Sequence, residues 1–207
     1  MFGTQHLMLF IASGLLLNLT PGQDTLYIVG RSLAQGRRAG VLSSLGIMSG
    51  CVVHTLAAAF GLSAILATSV RAFMVVKVVG AAYLVYLGIR LLRDRSSLGG
   101  LAELPRENSW AIYRAGALTN LLNPKVALFF MAFLPQFVDP ATESKVAAFL
   151  FLGAVFMFNG TLWCLVLAWS ASAMSRRIRA NPSAGLFMTR AAGILFIALG
   201  IKLATNR

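Results

Sequence analysis

The sequence predicts an all-α integral membrane protein: six transmembrane helices as two inverted three-helix repeats, with helices 1 and 4 broken at proline. Composition is the first reason. Of 207 residues, 58% are hydrophobic and only 12% charged, about half the roughly 25% charge of a soluble domain. The second reason is pattern: six long apolar stretches alternate with short turns, many of them arginine-rich. Each stretch approaches the roughly 20 apolar residues that a spanning helix needs. The third is a helix breaker in the middle of two of these stretches. A bilayer core tolerates broken backbone only where protein or a water-filled cavity covers it, and paired breaks in two halves of a chain point to a transport site.

Spans are expected near 5–30, 40–67, 70–91, 115–137, 146–171 and 187–204. The first contains Asn18, Thr20, Pro21 and Gly22, followed by Asp24. The second carries Gly46-x-x-x-Gly50, a spacing suited to close helix packing, and then His54. In the third, KVVGAAYLVYLGIRLL from Lys77, Tyr83 and Tyr86 read as packing first and substrate lining second. The fourth contains Asn120, Asn123 and Pro124, followed by Lys125. In the fifth, Asn159, Gly160 and Thr161 interrupt a run containing Phe156, Phe158 and Trp163; the polar spot can line a pathway, while aromatics at that spacing more often pack. The sixth reads RAAGILFIALGIKLA from Arg190. Six spans and their turns nearly exhaust the length, leaving no room for a soluble domain.

Charge orients the spans. A net charge of +12 on a soluble chain would suggest nucleic acid. Here the basic residues sit at span ends, where topology explains them better, and no nucleic-acid partner is expected. Arg31, Arg37 and Arg38 follow span one; Arg90, Arg93, Arg95, Arg106 and Arg114 follow span three; Arg176, Arg177, Arg179 and Arg190 follow span five. Only Arg71, Lys77, Lys145, Lys202 and Arg207 fall on the other side, and Lys125 belongs to neither. Basic loops stay cytoplasmic, so both termini are expected on the non-cytoplasmic side. No Lys or Arg precedes Arg31, so the basic n-region of a cleaved signal is missing.

The chain divides into a first repeat (1–92), a cytoplasmic linker (93–114) and a second repeat (115–207). The stretch DRSSLGGLAELPRENSWAIY cannot form a span, because Ser, Gly, Pro and mixed charges fill it. Spans three and six both open with a base, two small or apolar residues and Gly (Gly80, Gly193), and both close with Gly-Ile-base-Leu (from Gly88 and Gly200). Spans one and four share Asn-Leu followed by a proline break. Three spans per repeat invert the second copy, which puts a pseudo-twofold axis in the membrane plane.

NLTPGQDTLYIVGRSLAQGRRAG (18–40) and LTNLLNPKVALFFMAFLPQF (118–137), with His54 and GAAYLVYLG in span three, resemble the lysine-exporter-like family. The likeness is strongest to its homoserine/threonine and leucine exporter branch and covers essentially the whole chain. It implies a small bacterial inner-membrane protein that exports amino acids or related metabolites by proton antiport. The substrate class rests on that resemblance alone. One departure stands out: branch members often carry Pro-Gly-Pro-Asn where this chain has Pro21-Gly22-Gln23-Asp24. The change softens the kink and adds a titratable carboxylate.

Proline lacks an N–H and clashes with the preceding turn, so the helix stops at Pro21. Gly22 permits the unusual angles of an unwound joint, and the helix resuming near Gln23 offers unpaired N–H groups and a positive dipole end to a carboxylate. Pro124 is expected to repeat this arrangement, with Asn18, Thr20, Asn120 and Asn123 completing a polar pocket or satisfying freed carbonyls. Asp24 and Lys125 are the only charges well inside spans one and four, and charge at that depth is costly unless paired or hydrated. They are expected to pair when the site is empty, Lys125 then holding a substrate carboxylate while Asp24 takes the ammonium or a proton. His54 fits either a proton relay, with its near-neutral pKa, or a buried hydrogen-bonded role.

Other classes find less support. No phosphate-binding loop is present for ATP hydrolysis, and no paired carboxylates in a span suggest an enzyme. Thiol–disulfide carriage would need Cys51 and Cys164 to meet and react, and both read as buried and inert. Metal-ion efflux ranks lowest among the transporter readings, because two separated histidines with few acids make poor metal ligands, and no metal or other cofactor is expected. A single cation at the site favours a neutral amino acid over a dibasic one. The Gly46/Gly50 and Ala57–Ala59 faces suit either a homodimer or packing within one chain.

Overall fold

The computed structural model describes residues 3–64, 70–93, 105–139 and 141–180, with separate positions of the last helical stretch from Arg190 to Ala204. Span 187–204 therefore falls only partly within it. Much of the linker, the Arg176–Arg179 side chains and those of Lys77 and Tyr83 lie outside the described residues. All described elements are helical, apart from one isolated bridge between Thr4 and Val138.

α1 (Leu7–Leu19) ends where Thr20 N–H and hydroxyl both reach Leu16 O, at 3.0 and 2.6 Å. Extended Thr20 and Gly22 carry the chain to α2 (Gln23–Gln35), which stops at Gly36 with φ +81°. Glycine fits that left-handed backbone without a Cβ penalty. α3 (Arg37–Leu56) runs on through a π-helical turn, Ala57–Leu62. α4 is Val70–Arg93. α5 (Ser109–Leu121) starts inside the expected linker because Asn108 caps it, its side chain accepting from Ala111 N at 2.8 Å. α6 (Pro124–Leu128) continues through π-helical Phe129–Phe133 and 3-10 Leu134–Phe137. It bends 46° from α5. α7 is Lys145–Ala180.

Among the described residues, Arg37–Leu62 and Lys145–Ala171 are each long and apolar enough to cross a membrane, and the bent α5–α6 pair makes a third if counted as one span. Their outer faces suit lipid: Phe60, Phe158 and Trp169 are each more than 60% exposed. Several buried hydroxyls return to their own helices. Ser43, Ser44 and Thr55 donate to the carbonyls of Ala39, Gly40 and Cys51, one turn back.

Small residues let the helix backbones touch. A Cβ on Gly46 would collide with Tyr113 O, and one on Gly116 would lie 2.7 Å from Ser43 O, so α3 and α5 meet at backbone distance. Gly46 and Gly50 are thus consumed inside the chain. A sheaf of rings gathers around α6: Phe10, Phe129, Phe133, Phe137 and Phe156 meet in tilted and edge-to-face pairs with centroids 4.8 to 6.0 Å apart. Two backbone bonds lace the N-terminal segment to the same region, Gln5 N to Phe137 O and Asp139 N to Gly3 O, both 2.8 Å.

Candidate functional site

Each proline leaves the carbonyl four residues earlier without its helical partner. Those carbonyls belong to Leu17 and Asn120, and side chains from elsewhere in the chain serve both. Lys125 Nζ donates to Leu17 O at 3.2 Å and to Thr20 O at 3.0 Å, so a cation of the second break sustains the first. His54 Nε2 lies 3.2 Å from Asn120 O, which also accepts Asn123 N–H at 3.0 Å. A carbonyl only accepts, so His54 carries its proton on Nε2 there. Its ring stacks on Phe130, with centroids 5.9 Å apart.

Asp24 and Lys125 form no ion pair, contrary to expectation; among the described residues the salt bridge is Arg31–Glu107. Lys125 turns to the backbone because two freed carbonyls are within its reach. Asp24, in the first turn of α2, accepts from Asn120 Nδ2 at 2.8 Å through Oδ2. Its negative charge suits the positive helix end. Gly22 differs from expectation too. Its φ of −167° is extended backbone open to any residue. What calls for glycine is Lys125, whose Nζ would lie 3.1 Å from a Cβ at position 22.

The two helix starts are not alike. No side chain caps α2, whereas Asn123 Oδ1 accepts Lys125 N–H at 3.0 Å and closes α6. Only the first break therefore keeps an open helix N-terminus.

Both breaks border one small cavity of about 30 Å³, room for about one or two waters. Asn18, Asp24, Asn120 and Lys125 line it, as four of the ten expected site residues. Thr20, Pro21, Gly22, Asn123 and Pro124 build the joints instead, and His54 stands behind Asn120. The rest of the lining includes Thr25, Met48, Cys51, Trp163 and Cys164. In span five the aromatics Phe156 and Trp163 face the cavity, while Thr161 turns back to Met157 O at 2.7 Å. Both free cysteines are buried at the cavity wall, a meeting that their isolated positions in spans two and five did not announce.

Two turns along α2 from Asp24, Arg31 is only 4% exposed. It pairs with Glu107 at 2.7 Å and donates to Pro105 O at 2.8 Å and Gln35 Oε1 at 3.2 Å. Gln35 clasps Glu107 by both backbone groups, its Nε2 donating to O and its Oε1 accepting from N, at 2.8 and 3.0 Å. Tyr27 hydroxyl donates to Ile112 O at 2.8 Å. These bonds lash α2 to the entry of α5.

Apolar-faced helices with two interrupted pairs meeting at one small cavity that holds a few polar side chains fit a membrane translocator. The chain belongs to the LysE type translocator family, which it matches over residues 15–207. It is 31% identical over 198 residues to an uncharacterized membrane protein of Vibrio cholerae, covering 96% of each chain. It is 26% identical over 209 residues to a leucine efflux protein of Enterobacter sp., covering 99% of this chain and 97% of that one. A homoserine/homoserine lactone efflux protein of Salmonella typhimurium is 28% identical over 201 residues, covering 96% and 95%. No solved structure matches.

Proposed function

We propose that this protein is a secondary exporter that carries a neutral amino acid or related metabolite out of the bacterial cytoplasm across the inner membrane in exchange for protons. It crosses the bilayer six times with both termini outside, as two inverted repeats (1–92 and 115–207) joined by a cytoplasmic linker (93–114). The relatives named for leucine and homoserine efflux support the substrate class.

Reciprocal contacts support the inverted repeat. Asn18 of the first break faces Gly160, while Asn120 of the second faces Gly50. A Cβ on Gly88 would lie 2.6 Å from Gly193 O, and one on Gly200 would lie 2.8 Å from Ala81 O. A twofold axis exchanging Gly88 with Gly200 and Gly80 with Gly193 carries the first contact to within one residue of the second.

Asp24 carries the coupling reading. One of its oxygens is held by Asn120, and the other, Oδ1, is buried at the cavity without a protein partner. A half-satisfied carboxylate in a membrane interior gains from a proton or a substrate ammonium, and taking them in turn gives exchange. The test presents a panel of radiolabelled amino acids to the outside of everted vesicles under an imposed pH gradient. Uptake is expected to collapse with a protonophore and with Asp24→Asn, which keeps an acceptor for Asn120 but cannot titrate. Asp24→Asn with full gradient-driven uptake sinks the coupling role. Because both thiols line the cavity, thiol–disulfide carriage is tested alongside: the Cys51→Ser/Cys164→Ser double variant is expected to keep exporting.

A further inference from the structure

Four buried polar atoms from residues lining the cavity have no protein partner: the acceptors Asp24 Oδ1 and Asn120 Oδ1, and the donors Asn18 Nδ2 and Trp163 Nε1. Buried polar groups are nearly always paired, so an unpaired set around one cavity points to a ligand, and a space of about 30 Å³ admits more than water only once the surrounding helices part. The two kinds are sorted in space. The acceptors are tied together at the α2–α5 contact by the 2.8 Å bond from Asn120 to Asp24. On the α7 side stand the donors. Asn18 Nδ2 lies 3.6 Å from where a Gly160 Cβ would be, and Trp163 follows Gly160 by three residues, on the same helix face.

We propose that Trp163, together with Asn18, receives the carboxylate of the substrate, so that the cavity selects α-amino acids by holding both charged ends. This deepens, and rests on, the exporter reading above. An indole N–H only donates and an ionised carboxylate only accepts, so Trp163 Nε1 suits a carboxylate and not an ammonium, while ionised Asp24 suits the ammonium and not a second carboxylate. The charged and backbone donors near the cavity are largely engaged. Lys125 spends two of its three protons on Leu17 and Thr20 carbonyls. The α2 start holds the Asp24 carboxylate, which repels a second anion, and the α6 start is closed by Asn123. Around the two ends, Ile28, Ile47, Phe156 and Leu167 give an apolar wall for the side chain.

The test compares the amino acid that the wild type takes up best in everted vesicles with its amino alcohol, which keeps the ammonium and side chain but lacks the carboxylate. Uptake gives the amino acid's half-saturation concentration, and competition gives the inhibition constant of the alcohol. Trp163→Phe keeps an aromatic ring and removes the N–H. It is expected to raise the half-saturation concentration about ten- to hundredfold, the worth of one hydrogen bond to a charged group, and to leave the alcohol's constant unchanged. Asn18→Ala is expected to give the same signature from the second donor. The unchanged alcohol constant doubles as proof that each variant is folded. Equal weakening of both ligands makes Trp163 a packing residue and overturns the proposal, while the exporter reading stands. A wild type that takes up no amino acid overturns both.

Discussion

Lys125 shows how little a single residue's chemistry reveals of its task. A lone cation just after a proline break reads the same whether it waits for a substrate or serves the backbone, and only the fold brings Leu17 and Thr20 carbonyls to it. Proline was legible because its effect is local and unconditional. The destination of the carbonyl it frees was not, because the partner lies about a hundred residues away. Lys125→Met is expected to cost about 2–4 kcal/mol, since it strands two buried carbonyls. Gly22→Ala presses a methyl group against the same ammonium and should cost about 1–2 kcal/mol. Thermal unfolding in detergent of both single variants and the double checks the link. Once Lys125 is gone, Gly22→Ala should be nearly harmless, leaving a coupling of about 1 kcal/mol or more. Additive costs would mean that position 22 needs glycine for another reason.

At the scale of elements, the sequence located most breaks and misjudged some boundaries. α5 begins at Ser109 rather than near 115 because Asn108 supplies a cap, a signal hidden in a stretch that mixed charge, Ser and Pro made look like pure linker. The same misreading concealed Glu107, whose partner Arg31 looked like one more basic residue in a turn. On the proposed orientation, this ionic clasp is expected to seal the cytoplasmic side of the cavity. Glu107→Gln should loosen it, since the buried guanidinium of Arg31 loses its counter-charge. The native thiols at the cavity report on that seal, because burial keeps them inert. In everted vesicles a membrane-impermeant maleimide is expected to label Cys51 or Cys164 several-fold faster in Glu107→Gln than in wild type, with the single Cys→Ser variants identifying which. Equal labelling rates would mean that the clasp only fixes α2 in place.

For the molecule as a whole, membrane character was written in composition, because apolar excess needs no tertiary information. The cavity wall was not. It gathers Cys51 from α3, Trp163 and Cys164 from α7 and Asp24 from α2, an assembly made by glycine contacts between helices far apart in sequence. On the proposed function, the two sides of that cavity are closed by opposite chemistries, a charge pair at Arg31 and a sheaf of phenylalanines around Phe129 and Phe137. Exposing polar groups lowers heat capacity, and exposing rings raises it. If the exporter reading holds, the inward-opening and outward-opening steps are expected to carry activation heat capacities of opposite sign. An Eyring plot of export should curve, and the sense of its curvature names the seal whose parting sets the pace.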